Sequence, residues 1–304
     1  MASKQEWDDH LKKGSTVSGY EAAVSGAISG GVARGVTAPL DTLKIRLQLQ
    51  TQHFRQSPGV LRVAKDLLVK EGPLAFWKGN VPAEILYVLY GAIQFASYSY
   101  LNRTFEELSN DYNVQFSPTM HSLVTGMGSG IASTTASYPF DLLRTRLAAN
   151  SSKRFLSMSL AVRDILKNEG IFGIFSGIKP AMLSITLNTG LMFATYEKAR
   201  EYSRLFPHIP FIEGICGFIA GAAAKGITFP LDTIRKRCQM YAVNNNNQLA
   251  SAMQLGKTIL LKEGPLGFYR GFGISVLKTA PTSAISMWMY EYSLNFIRST
   301  GYFQ

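Results

Sequence analysis

Apolar and polar positions alternate along this chain at helical rather than strand spacing, and they do so in three rounds. Each round opens on a long stretch rich in Gly, Ala and Ser (Val17 to Gln48, Ser117 to Leu147, Pro210 to Gln239) and closes on a second long apolar stretch (Gly79 to Arg103, Gly177 to Tyr202, Gly271 to Ile297). Between them lies a shorter charged stretch. In the first round it sets Val60, Leu61, Val63, Ala64, Leu67 and Leu68 against Arg62, Lys65 and Lys70, the pattern of an amphipathic surface helix. Each long stretch is long enough to cross a bilayer, which takes about 20 residues. The pattern predicts an all-α membrane protein: six transmembrane helices in three tandem repeats with threefold pseudosymmetry, and three short surface helices. A short tail at 1–16 precedes repeats at 17–110, 117–205 and 209–304, together one transmembrane domain.

The repeat is exact enough to number. Pro39-Leu40-Asp41-Thr42-Leu43-Lys44-Ile45-Arg46 recurs as Pro139-Phe140-Asp141-Leu142-Leu143-Arg144-Thr145-Arg146 and as Pro230-Leu231-Asp232-Thr233-Ile234-Arg235-Lys236-Arg237. Thirteen residues before each proline starts a Gly-xxx-Gly pair (Gly26 and Gly30, Gly126 and Gly130, Gly217 and Gly221), the small-residue face that close packing of membrane helices uses. After each proline comes Glu-Gly and then an aromatic and a glycine: Glu71-Gly72 to Trp77-Lys78-Gly79, Glu169-Gly170 to Phe175-Ser176-Gly177, and Glu263-Gly264 to Tyr269-Arg270-Gly271.

Charge adds a topology. The 304 residues carry +11, with 31 Lys+Arg against 20 Asp+Glu, yet only 17% are charged. The three long connections (49–78, 150–178, 239–272) hold 12 Lys/Arg and 5 Asp/Glu, whereas the tails and the other two connections balance at 7 and 7. An excess of cations marks the retained side of a membrane. The repeat loops therefore share the inner compartment and both termini face out. The N-terminal MASKQEWDDH has neither the apolar core of a signal peptide nor an Arg-rich, acid-free helix, so import is expected to use internal information.

The remaining charges lie within the helices, where ionisable groups mark function. Arg34, Asp41, Lys44 and Gln48 form one stripe at helical spacing; Lys225, Asp232, Arg235 and Gln239 form another, and Thr134, Asp141, Arg144 and Ala148 a third. Such stripes face a shared polar axis rather than lipid. Each Asp is expected to meet the base of the next helix, Asp41 with Arg144, Asp141 with Arg235 and Asp232 with Lys44, in a ring that closes the inner end of a path. Pairing within one helix, three residues apart, is the alternative. Arg46, Arg146 and Arg237 point about 200° away and are expected to snorkel to the inner interface.

Pro-x-[Asp/Glu]-x-x-[Lys/Arg]-x-[Lys/Arg] followed by [Asp/Glu]-Gly-x-x-x-x-[aromatic]-[Lys/Arg]-Gly, three times over, resembles the mitochondrial carrier family. The resemblance implies the mitochondrial carrier fold in the inner membrane, alternating access around one central site, and a functional monomer. It also implies a matrix gate (Asp41, Lys44, Asp141, Arg144, Asp232, Arg235) braced by Gln48 and Gln239. Ala148 and Ser176 depart from the motif. The family's cytoplasmic gate is degraded here to Tyr196-Glu197-Lys198-Ala199-Arg200, with Arg200 and Glu291 the expected pair. By the same correspondence Leu86, Ser184 and Lys278 are substrate contact points, with Tyr87, Ile185 and Thr279 beside them. Arg34, Thr134 and Lys225 form the matching layer of the odd-numbered long helices, and Tyr87, Tyr90 and Asn188 are placed to stack on or bond a heteroaromatic group. Glu84 has no assigned role.

Arg34, Lys225 and Lys278 in a low-dielectric cavity call for an anion of high charge, a pyrophosphate or nucleotide rather than a monocarboxylate. The runs from Trp77 to Phe95 and from Ser137 to Leu147 resemble the branch of the family that imports thiamine pyrophosphate in exchange for nucleotides. A coenzyme A or adenine nucleotide carrier is the alternative, and a non-enzymatic helical scaffold a remote one. No Walker or dinucleotide loop and no nucleophilic triad is present in the sequence, so an enzyme is not expected. Two cysteines and four scattered histidines suggest no metal site, and no cofactor is called for. Cations held in loops and stripes, beside apolar runs of membrane length, speak against a nucleic-acid partner.

Overall fold

A computed structural model describes residues 19–51, 58–112, 118–151, 157–203, 212–244 and 251–300. The described residues fold into helices and turns. The first repeat contains α1 (Gly19–Gln48), α2 (Val60–Glu71), a 3-10 turn (Pro73–Trp77) and α3 (Asn80–Tyr112). The second has α4 (Pro118–Ala149), α5 (Met158–Asn168), a helical turn (Gly170–Gly173) and α6 (Ile178–Ser203). The third has α7 (Ile212–Asn244), α8 (Ala252–Glu263), a 3-10 turn (Pro265–Tyr269), and a long helix interrupted at Lys278 into α9 (Phe272–Leu277) and α10 (Thr279–Thr300). Only the stretch Gly170–Met192, among the described residues, is apolar enough as well as long enough to cross a membrane by composition. Helices α1, α4 and α7 carry the polar stripe residues.

Two compact units divide the chain, one comprising 1–38 and 277–304, the other 39–276. In the larger unit α3 packs along α4 and α6 along α7, while α4 also lies against α6. Its apolar cores sit where a long helix meets the short helix of its own repeat, joined in the first repeat by Ile274 of the third. Leu142, Leu143 and Leu147 of α4 bury against Ala161 and Ile165 of α5, and Leu43 and Leu47 of α1 pack with Val63, Ala64 and Ile274. In the smaller unit Glu21 lies 3.9 Å from Arg298.

Pro39, Pro139 and Pro230 all lie inside continuous helices. Two residues before each, a hydroxyl turns back on its own helix: Thr37 donates to the Ala33 carbonyl, Ser137 to Ser133 and Thr228 to Ala224. A proline removes one ladder hydrogen bond and a back-bonding hydroxyl loosens another, so each helix is weakened locally at the same point of its repeat.

The Gly-xxx-Gly pairs pack unequally. A Cβ on Gly130 would lie 3.4 Å from Ile185, and one on Gly221 would lie 3.9 Å from Met192, whereas one on Gly26 or Gly30 would meet nothing within 4 Å. Close approach is instead the work of the glycine after each landmark aromatic. Gly79, Gly177 and Gly271 all have positive φ (81°, 83° and 77°), and a Cβ on Gly79 would stand 2.6 Å from the Arg144 carbonyl oxygen. Gly79→Ala is expected to lose about 1–3 kcal/mol from backbone strain before the clash is counted, read as a lower melting temperature in detergent, while Gly30→Ala stays near the parent.

Candidate functional site

The polar ends of α1, α4 and α7 hold two of the three expected ion pairs. Asp41 Oδ2 lies 2.6 Å from Arg144 Nη2, and Asp141 Oδ2 lies 3.0 Å from Arg235 Nη2. Aromatic rings back both cations. Arg144 donates to the Tyr87 hydroxyl at 3.2 Å with its guanidinium 5.7 Å from the ring centroid, and Arg235 stands 5.3 Å from the Tyr138 ring. Such rings hold guanidinium groups without taking up their hydrogen-bonding capacity.

The third position differs from expectation. Asp232 is held by Lys225, two turns earlier on its own helix, and by the Ser184 hydroxyl of α6, which donates at 2.9 Å. The Lys44 ammonium stands 5.4 Å from the centroid of Phe229. A lysine and an aspartate side chain extended toward each other together bridge two helical turns, so the stripe geometry itself allows this internal pair to compete with the interhelical one. Of the two expected braces, Gln239 donates to Asp141 at 2.6 Å and accepts from Thr145 at the same distance. Gln48, fully buried, donates instead to Thr233 at 3.5 Å.

Lys236 carries no signal in the repeat, because its counterparts are Ile45 and Thr145. It nevertheless reaches both oxygens of Asp141, at 2.9 and 3.0 Å, and also contacts Thr145 and Gln239. Asp141 therefore neutralises two cations from one helix.

Arg46, Arg146 and Arg237 do not snorkel; they are built into the protein. Each makes a two-pronged contact with the glutamate of its own Glu-Gly landmark. Arg46 binds Glu71 at 2.7 and 2.9 Å, Arg146 binds Glu169 at 2.5 and 2.7 Å, and Arg237 binds Glu263, one prong at 2.8 Å. Their other N–H groups reach the backbone of the next long helix of the same set, at its end for Arg46 and Arg237 and within α7 for Arg146. Arg46 donates to the carbonyls of Ala148 and Asn150, Arg146 to that of Gln239, and Arg237 to those of Gln48 and Gln50. The last carbonyls of a helix lack internal donors and carry its negative dipole end, so a cation there meets both needs. The residue after each landmark aromatic adds to the bracket: Lys78 bonds Glu71 and the Asn150 carbonyl, and Arg270 bonds the Gln50 carbonyl. Ser176, lacking a charge, donates to the Cys238 carbonyl at 2.9 Å. The near-constant separation of these arginines from their glutamates is the signal that marks the pairs.

The other expected residues are distributed along these helices. Leu86 and Thr134 are buried, Tyr87 is half-buried beside Arg144, and Asn188 accepts from Thr228 at 3.4 Å. Arg34, Lys278 and Thr279 belong to the smaller unit, the first two half-buried and Thr279 exposed. Glu291 is exposed, and the side chains of Glu197 and Arg200 lie outside the described residues.

The family model for mitochondrial carrier proteins matches residues 15–109, 115–205 and 208–301. The chain belongs to the mitochondrial carrier family. Its members are transporters rather than enzymes, and the carrier is accordingly mitochondrial. It is 57% identical to a protein of Lodderomyces elongisporus named mitochondrial thiamine pyrophosphate carrier 1, over 98% of this chain and 97% of that one. Relatives of the same name from Candida albicans and Scheffersomyces stipitis are 58% and 60% identical, over 98% and 96% of this chain and 98% and 95% of theirs.

Outside the long helices, burial pushes the Glu71 carboxyl up, but hydrogen bonds and charges from Arg46 and Lys78 outweigh it and hold the pKa below its ordinary value. A lowered carboxylate pKa contributes stability above the unfolded value of about 4.3 that is lost as pH falls through the folded one. The carrier in detergent is expected to lose melting temperature on acidification through that window. Glu71→Gln should flatten this loss and lower stability at neutral pH by about 3–5 kcal/mol, the cost of breaking a buried pair.

Proposed function

We propose that the carrier imports thiamine pyrophosphate across the inner mitochondrial membrane, in exchange for nucleotides, by alternating access. The observation that carries the substrate is identity of 57–60%, over nearly the whole length of both chains, to three relatives named for that compound. The small anionic ligand suits the cations of the chain. Lys225 leaves more than a third of its side chain exposed, and Arg34 and Lys278 would add charge for the diphosphate, with Thr134, Leu86, Tyr87, Ser184, Thr279 and Asn188 shaping its organic part. Membrane lipid is the partner of the outer faces. Val81, Val88 and Phe95 repeat every seven residues on α3 and are 65%, 69% and 79% exposed, an apolar stripe of the kind that soluble surfaces rarely present.

In this reading the six long helices span the bilayer in three pseudosymmetric repeats, both termini face the intermembrane space, and the carrier works as a monomer. Asp41 with Arg144 and Asp141 with Arg235 are matrix gate pairs, reinforced by Gln239, and Asp232 with Lys44 completes the ring in the closed state. Ion pairs that nearly balance desolvation against attraction can break and re-form, as a gate must. Glu197, Arg200 and Glu291 would serve the cytoplasmic side.

The test is uptake of labelled thiamine pyrophosphate into liposomes that hold the purified carrier and are preloaded with ADP. Saturable uptake that requires internal nucleotide is expected. Exchange of coenzyme A or ADP without thiamine pyrophosphate would overturn the substrate and leave the carrier assignment intact. Lys278→Ala should lower uptake about ten- to a hundredfold, the scale of losing a charged hydrogen bond of about 1.5–3 kcal/mol, with an unchanged melting temperature.

A further inference from the structure

Asp232 differs from the other two acids of the ring in what holds it. Asp41 and Asp141 are paired with a cation from the next long helix of the set, whereas Asp232 is paired along α7 with Lys225, a residue assigned above to the substrate. Lys225 is also the most exposed cation among these three pairs, with 38% of its side chain accessible against 11% for Arg144 and 20% for Arg235. A ligand can therefore reach it without first breaking into the protein. The second oxygen of Asp232 is held separately by Ser184, so the carboxylate keeps its position when one cation leaves. A replacement is close by. Lys44 places its ammonium over Phe229, which lies three residues before Asp232 and hence on the same face of α7.

We propose that Asp232 is a two-way latch that couples substrate to gate closure. Without substrate its carboxylate belongs to Lys225. When a diphosphate arrives, its oxygens take the Lys225 ammonium, and Asp232 turns to Lys44, completing the ring of three interhelical pairs. One ammonium replaces another on the same carboxylate, so the number of desolvated charges hardly changes. The equilibrium is then tipped by what the ligand gains in one state and not the other, which is the only way a ligand shifts a conformation. Ser184 and Lys225 act here as positioning residues, through Asp232, in addition to any contact with the ligand. The inference rests on the substrate being a diphosphate-bearing anion, as proposed above.

A carrier with such a latch moves its gate only when loaded, and so exchanges rather than leaks. The experiment compares two fluxes from liposomes loaded with labelled ADP: efflux into buffer alone, and efflux into buffer containing thiamine pyrophosphate, coenzyme A or ADP. Lys225→Gln lets Asp232 pair with Lys44 and release it whether or not a ligand is bound. It is expected to raise the ratio of unidirectional efflux to exchange at least about fivefold, the low end of allosteric couplings, while Lys225→Arg restores the parent ratio. Lys44→Gln removes the other partner, and should lower exchange without raising that ratio. A lysine that only binds substrate would lose exchange with the flux ratio unchanged. That result in Lys225→Gln, or the same behaviour in both lysine variants, would overturn the latch. Exchange with ADP but not with thiamine pyrophosphate would overturn the substrate assignment alone, because the ADP fluxes still decide the latch. If none of the three anions exchanges, both fall.

Discussion

A buried guanidinium that must satisfy two masters, its own glutamate and the backbone of the neighbouring long helix, is the constraint around which the larger unit is organised. Taking either ion of such a pair from water costs several kcal/mol, and attraction between them rarely repays it alone. Arg46 and Arg237 repay it by spending their remaining donors on carbonyls at the ends of α4 and α1, and Arg146 by bonding a carbonyl within α7. Arginine suits the double task because its fork carries five donors in fixed geometry. The contacts run from α1 to α4, from α4 to α7 and from α7 back to α1. The third step has no peptide connection of its own to rely on, so the arginine supplies what the chain does not.

Symmetry of sequence does not produce equality of interaction. The second repeat lacks a charge at Ser176 and a brace at Ala148, and both substitutions are absorbed locally: Ser176 reaches the Cys238 carbonyl, and Ala148 is buried. At Asp141 the opposite happens, with Lys236 added to Arg235 and Gln239 bonded to both Asp141 and Lys236. The α4–α7 junction is thus the most heavily bonded of the three ring positions, and the one at Asp232 the most easily rearranged.

The helices, their order and two of the ion pairs are legible from spacing, because a seven-residue stripe on a helix and a fixed repeat offset leave few alternatives for Asp41 and Asp141. Asp232 was less legible for a reason of side-chain length. Periodicity says which residues share a face but not whether a lysine on that face extends outward or folds back two turns to an acid below it. The arginines beyond the stripe show a different limit. Their angular position was readable, but their burial depends on the turn that brings Glu71, Glu169 and Glu263 underneath them, and that turn is set by glycines with φ near +80°. Lys236 breaks the repeat, so symmetry was silent about it.

The hydroxyl and proline that precede each acidic residue can also be considered as mechanics. A regular helix resists bending through its ladder of axial hydrogen bonds, and a rod with one softened segment concentrates its deformation there. Each repeat opener, α1, α4 and α7, is such a rod, stiff on both sides of a single compliant joint.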